Sequence, residues 1–218
     1  MTILALDTST EVLSVAAERD GAWATLSVRR GLQHSPALLV IAERVLAEIG
    51  AGPADLGLVV CSLGPGSFTG IRIGLATALG IGHARQVPVV GASTLDAFAL
   101  PWSAWDGDVY PVLDARKGRY YTARYSGGER QGAYQDITAA ELEAAIAAAR
   151  LPLLVGHDAP RIQGLLGEAG RAAPVADSVD PRALLRLGLR RYTTEGAAQE
   201  PLQPLYLRKS EAEIASGG

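Results

Sequence analysis

The chain has 218 residues, a formal net charge of −3 at pH 7, 48% hydrophobic and 20% charged residues, and one cysteine. That length holds one large domain or two small lobes around a core that needs no covalent staples. The charge excludes an overall basic field for nucleic acid, and a single cysteine excludes an intramolecular disulfide or a cysteine-rich zinc motif.

Met1 to Asp7 carries no basic leader, so no secretory signal is expected, and no uninterrupted apolar run approaches the ~20 residues of a membrane span. A cytoplasmic protein is the expectation. Ile3–Leu6, Leu13–Ala17 and Trp23–Val28 read as three strands in an antiparallel meander, the first ending at Asp7-Thr8-Ser9-Thr10 and the last two joined at Asp20-Gly21. Ser35-Pro36 opens a helix to Ile49, Leu58–Cys61 is a buried strand, and Ile71–Arg85 is a helix. Val87–Val90 is a further strand and Ser93-Thr94 caps a helix to Leu100. Alternation of strands and helices after a meander indicates an α/β fold with mixed sheets and helices on their faces.

Residues 101–106 read as a break between an N-terminal lobe, 1–103, and a smaller C-terminal lobe, 104–218. Val109–Leu113 and Tyr120–Tyr125 read as strands around Asp114-Ala115-Arg116-Lys117-Gly118. Thr138 caps a helix to Arg150 with Glu141 at the capping-box position. Leu153–Val155 is a strand ending at Gly156, helices follow at 160–168 and 181–195, and 201–208 starts extended, with disorder expected to Gly218.

Between the strand at Leu58 and the helix at Ile71 runs Gly64-Pro65-Gly66-Ser67-Phe68-Thr69-Gly70-Ile71-Arg72-Ile73-Gly74. Such a turn can bring backbone N–H groups to a phosphate at a helix N-terminus, or can exist for close packing. It lacks the lysine of a P-loop, and Ser67 lacks the spacing of a nucleophile elbow. Cys61, in an apolar strand, reads as an inert buried thiol. Asp114, Arg116 and Lys117 read as an exposed polar turn, with an inter-lobe salt link as the alternative. Tyr120, Tyr121 and Tyr125 read as a half-buried strand rather than a stacking platform for RNA.

Asp7-Thr8-Ser9-Thr10, the Gly64–Gly74 run, Asp114-Ala115-Arg116-Lys117-Gly118-Arg119-Tyr120 and Pro204-Leu205-Tyr206-Leu207-Arg208 together resemble the TsaB family of bacterial tRNA threonylcarbamoyladenosine biosynthesis, over nearly the whole chain. The resemblance implies the two-lobed actin/sugar kinase/Hsp70 ATPase-like (ASKHA) fold, with lobes of related topology and a reduced second lobe. It implies a non-catalytic partner of a TsaD-like paralogue that transfers threonylcarbamoyl to N6 of adenosine in tRNA, joined by a TsaE-like ATPase. It also implies a homodimer when the chain is alone, through N-terminal helices, tRNA contact only through the partner, and no membrane.

In that fold Asp7, Thr8, Ser9 and Thr10 occupy the place of a phosphate loop. Their plainer reading is a polar strand exit with local hydrogen bonds. The TsaD-like pattern has a Gly-Gly turn where this chain has the single Gly156, and two histidines four residues apart where this chain has His34 and Leu38. The expectation is therefore a vestigial loop, no catalytic residue, no metal, no cofactor, and at most weak ATP or ADP binding. The rival is an ATP-binding small-molecule kinase or nucleotide hydrolase of the same superfamily. A peptidase is weakest, for neither a nucleophile–base arrangement nor a metal pair is visible.

Gly70, Gly74, Ala78 and Gly82 recur every four residues and make one nearly side-chain-free helical stripe. Its own sheet, another helix or another subunit can face it. The helix before it carries apolar residues around more than one face, a surplus that asks for a second buried surface. Leu38, Ile41, Ala42, Val45, Gly70, Gly74, Ala78 and Gly82 are therefore expected to form a subunit interface, in a homodimer or with a TsaD-like partner.

Overall fold

The computed structural model describes residues 1–29, 35–166, 171–173, 178–197 and 201–208. β1 (Thr2–Asp7), β2 (Val12–Arg19) and β3 (Ala22–Arg29) form the expected meander, followed by α1 (Ser35–Glu48), β4 (Leu56–Ser62), α2 (Phe68–Arg85), β5 (Val89–Ala92) and α3 (Thr94–Ala99). The first sheet has the order β3-β2-β1-β4-β5, with β1, β4 and β5 parallel. A second series follows: β6 (Asp108–Asp114), β7 (Arg119–Ser126), β8 (Glu129–Thr138), α4 (Ala139–Ala147), β9 (Leu153–Val155), α5 (Ala159–Leu166), β10 (Arg171–Ala172) and α6 (Pro181–Glu195). Its sheet order, β10-β9-β6-β7-β8, repeats the first when each sheet is read from its own opening strand. In both, an antiparallel meander is extended on the far side of its first strand by two parallel strands.

The alternation of side chains along each strand sorts the core into layers. Leu4, Leu6, Leu13, Val15, Val59 and Cys61 turn to the side of α1 and α2, whereas Ile3, Ala5, Ala16, Leu58 and Val60 turn to the other face. That second face shares one continuous core with Leu95 and Phe98 of α3, Leu184 and Leu185 of α6, and Val109, Leu113 and Tyr125 of the second sheet. Tyr110, Val112 and Leu154 close the second sheet's outer face against Leu142, Ile146 and Ile162 of α4 and α5. The result is a helix–sheet–helix–sheet–helix stack with α3 and α6 in the middle layer.

α6 comes after the expected division at 103/104 but lies against the first lobe. It packs on β1, β2, β4 and β5 of the first sheet. Gly188 permits this approach, since a Cβ there would lie 2.3 Å from Val60. Arg191 donates to the Gly91 carbonyl at 2.9 Å, and Leu205 N–H donates to the Leu63 carbonyl at 2.7 Å. The chain thus returns to the N-terminal lobe after its excursion through residues 108–173. An amphipathic helix declares that it covers a sheet, but not which one.

β8 falls where no element was expected. It is a mostly exposed edge strand whose opening, Glu129-Arg130-Gln131-Gly132, has no apolar alternation to reveal it. The capping box of α4 forms as read: Glu141 N–H donates to Thr138 Oγ1 at 3.3 Å and Glu141 Oε2 accepts Thr138 N–H at 2.7 Å. His34 and the segment 209–218 lie outside the described residues. No helix among the described residues is long and apolar enough to cross a membrane.

Candidate functional site

The loops at the ends of β1 and β6 face one another across a cleft of about 570 Å3. Ser9, Thr10, Glu11 and the start of α2 line one wall; Leu113 to Arg116, Tyr121, His157 and Asp158 line the other.

The first loop is closed on itself. Asp7 Oδ1 accepts both the N–H and the Oγ–H of Ser9, at 3.1 and 2.6 Å. Thr8 Oγ1 donates to the Gly70 carbonyl at 2.7 Å, Thr10 Oγ1 bonds Val12, and Ser67 N–H donates to the Ser9 carbonyl at 2.7 Å. Asp7 and Thr8 have no exposed surface and Ser9 has 2%. The glycine run makes this closure sterically possible. A Cβ at Gly66 would lie 2.3 Å from the Ser9 carbonyl oxygen, one at Gly70 2.0 Å from that of Thr8, and one at Gly74 2.3 Å from Thr8 Oγ1. The chain reaches α2 through a cis Gly64–Pro65 peptide, and Ser67 caps the helix by accepting Gly70 N–H at 3.2 Å.

These contacts place the residues of the expected interface within the chain's own packing. Gly70 and Gly74 face the β1–β2 loop, and Gly82 faces β5, where a Cβ would meet Val89 at 2.3 Å. Ala78, Leu38, Ile41, Ala42 and Val45 are buried against the first sheet in the chain's own core. Side chains already enclosed have no surface left for a second protein. The apolar surplus of α1 is real but resides in other members, Leu39 and Val40, which are 55% and 65% exposed. On α2 the outward residues include Phe68, Arg72 and Leu79. Phe68 stacks on Tyr206 with centroids 5.5 Å apart, the Arg72 guanidinium lies 3.8 Å over the Phe68 ring, and Arg72 Nε donates to Tyr206 Oη at 2.9 Å. Phe68 and Arg72 lie in one of the runs singled out above and Tyr206 in another, but nothing in the sequence says that they meet, since Tyr206 arrives from 134 residues away.

The second loop is built differently. Arg116, Lys117 and Gly118 all take positive φ, at 65°, 55° and 71°. Asp114 Oδ1 accepts Arg116 N–H at 2.8 Å, Asp158 Oδ2 accepts Asp114 N–H at 2.8 Å, and Arg161 Nη2 lies 3.0 Å from Asp114 Oδ2. The ion pair at Asp114 is therefore made within the second lobe rather than between lobes. Gly156, with φ 105°, packs its Cα side against Phe98 and the Val112 carbonyl. Among the described residues no group of three or more His, Cys, Asp or Glu is placed to hold a metal ion. Cys61 is buried, and that burial pushes its thiol up to about 12, which keeps it un-ionised and unreactive at neutral pH.

Two sheets of one topology, with a middle helical layer and strand-end loops facing a common cleft, define the ASKHA fold class. The family described as TsaD, tRNA N6-adenosine threonylcarbamoyltransferase, matches residues 30–179. The tRNA threonylcarbamoyladenosine biosynthesis protein TsaB of Bacillus subtilis is 33% identical, over 98% of this chain and 96% of that protein. Its Escherichia coli counterpart is 31% identical, over 97% and 96%. A crystal structure from Pseudomonas aeruginosa, of an uncharacterized protein with similarity to peptidase YeaZ, superimposes with a TM-score of 0.82 at 26% identity, covering 95% of this chain and 99% of that one. The chain belongs to the TsaD-like family and, within it, to the TsaB proteins of tRNA threonylcarbamoyladenosine biosynthesis.

Proposed function

We propose that the chain is a non-catalytic subunit that docks on a TsaD-type transferase and supports transfer of a threonylcarbamoyl group to N6 of adenosine in tRNA. The closed first loop carries this reading. Phosphoryl-transfer sites work by donors held ready for the charge that develops on the transferring group. Here the Thr8 and Ser9 hydroxyls are already engaged with Gly70 and Asp7, and α2 covers them. No cofactor is assigned to the chain, and its proposed place of action is the cytoplasm.

The outer face of α1 and α2 supports a partner role. Leu39, Val40 and Leu79 stay exposed on helices whose inner faces are used by the chain's own core, and large exposed apolar side chains of this kind suit protein contact. The Phe68–Arg72–Tyr206 set has the aromatic and arginine chemistry of interface anchors. We assign this face to the TsaD-type partner and, for the chain alone, to a second copy. A TsaE-type ATPase joins the pair as a third component, and tRNA is met through the transferase.

Reconstitution with a TsaD-type transferase and unmodified tRNA, reading modified nucleoside by mass spectrometry, tests this. Product is expected only when the chain is present, and Val40→Glu with Leu79→Arg is expected to abolish both association and product at unchanged melting temperature. Product without the chain overturns the subunit role. Turnover of ATP by the chain alone would favour the kinase or hydrolase reading instead.

A further inference from the structure

Asp96 belongs to α3 of the first lobe, yet both of its carboxylate oxygens are taken from the second. Tyr125 Oη on β7 donates to Oδ1, and Tyr134 Oη on β8 donates to Oδ2 at 2.8 Å. We propose that Asp96 is an inter-lobe latch, a carboxylate of one lobe gripped by two phenols of the other, which sets the width of the cleft.

A single hydrogen bond across a lobe boundary acts as a pivot. Two bonds from neighbouring strands to the two oxygens of one carboxylate fix its orientation as well as its distance. Both are charge-assisted, the strong class of hydrogen bond. Opening the lobes would draw one half-buried carboxylate away from both donors at once. Burial first, and the adjacent Asp96 charge second, raise both phenols, Tyr134 to about 12 and Tyr125 further, so both remain donors throughout the neutral range.

The surroundings act in the same sense. Arg130 lies 4.1 Å over the Tyr134 ring and holds it from the solvent side. Leu95 and Phe98, on either side of Asp96 along α3, lie in the core that contains residues of both sheets. Arg190 of α6, a helix seated on the first sheet, approaches Glu129 at the start of β8 to 4.0 Å. The lobe boundary thus carries a shared apolar core beside a doubly bonded carboxylate. The consequence is that any ligand or partner meets the two cleft walls at a set separation. This inference rests on the lobe boundary alone and stands or falls apart from the subunit role.

Spin labels at Glu43→Cys on α1 and Glu143→Cys on α4, both exposed sites in the outermost layers, report the lobe-to-lobe distance by double electron–electron resonance. Cys61, buried and with its thiol pushed up to about 12, stays unlabelled. Diluted into excess unlabelled protein, so that only spins within one chain are read, the protein with its latch intact is expected to give one narrow distance. Asp96→Ala, and the pair Tyr125→Phe with Tyr134→Phe, are expected to lose that single peak and gain longer distances, while a control pair within the first lobe, Glu43→Cys and Thr69→Cys, stays narrow. An unchanged lobe-to-lobe distribution overturns the proposal. So does broadening of the control pair in step with it, which would make Asp96 a support of the fold in general. If Asp96→Ala does not fold, Tyr134→Phe alone decides: it removes one hydroxyl at a half-buried site, and a distribution as narrow as that of the parent refutes the latch.

Discussion

Asp7–Thr10 and Asp114–Gly118 leave the first strand of each sheet at equivalent places and face the same cleft, yet opposite physics holds them. In each lobe the turn after the fourth strand in topological order comes over to meet the loop. In the first lobe that turn is Gly64–Gly74, whose Gly66 and Gly70 lack side chains where the loop approaches, so that backbone lies on backbone. In the second it is Gly156-His157-Asp158, which reaches the loop with a carboxylate on the Asp114 N–H and, one turn on, with Arg161. Duplicated topology thus does not imply duplicated sites. Contact through bare backbone buries a loop and consumes its hydroxyls, whereas contact through charge leaves it exposed.

That contrast makes the costs of substitution differ in size and in kind. Gly70→Ala carries the largest. Its Cβ would sit 2.0 Å from the Thr8 carbonyl oxygen, and since the obstacle is backbone no rotamer relieves it. A loss of ~3 kcal/mol is expected, a fall in melting temperature of roughly 6–12 °C for a chain of this size. Gly74→Ala comes next, at ~2 kcal/mol, because its obstacle is the Thr8 hydroxyl at 2.3 Å and a side chain can be removed. Thr8→Ala alone should cost ~1 kcal/mol for its hydrogen bond to the Gly70 carbonyl. Combined with Gly74→Ala, it should cost less than the two added, since the remaining Thr8 Cβ is 3.5 Å away. Strict additivity in a thermal double-mutant cycle would mean that the glycine does not serve this contact.

In the second loop Gly118→Ala should be milder. Nothing lies within 4 Å of its Cβ position, so only the left-handed backbone, φ 71°, resists a side chain. A loss of ~1 kcal/mol, or about 2–4 °C, is the expected reading in the same melt. A drop as large as that of Gly70→Ala would show that the second loop is also sterically closed.

The glycine stripe shows how far such a contrast was legible beforehand. Its spacing announces a helix that something approaches closely, and that much is realised. What approaches is the loop at Thr8, 62 residues earlier in the chain, and a helical period carries no record of a contact so distant. The same limit explains the interface residues. Leu38, Ile41, Ala42 and Val45 form the regular stripe and so belong to the core, while the residues left exposed are the irregular surplus, Leu39 and Val40. The elements that cap themselves locally, such as α4 with Thr138 and Glu141, were readable in place. The Asp96–Tyr125–Tyr134 cluster joins positions 29 and 38 residues apart, each ordinary in its own element, and left no pattern to find.

Arg161→Ala carries the smallest cost and tests the contrast most directly, because it asks what kind of force holds the second loop. Arg161 is 53% exposed and its partner Asp114 32%, so water and salt screen the pair even though the contact is 3.0 Å. Its loss should cost under ~1 kcal/mol at low ionic strength. In 1 M salt, where the Debye length falls to ~3 Å, the difference from the parent protein should shrink toward zero. The deficit of Gly70→Ala, being steric, should survive the same salt unchanged. Melting both variants at low and high salt therefore separates the two loops by mechanism: a salt-insensitive Arg161→Ala deficit would mean that the second loop, like the first, is held by packing.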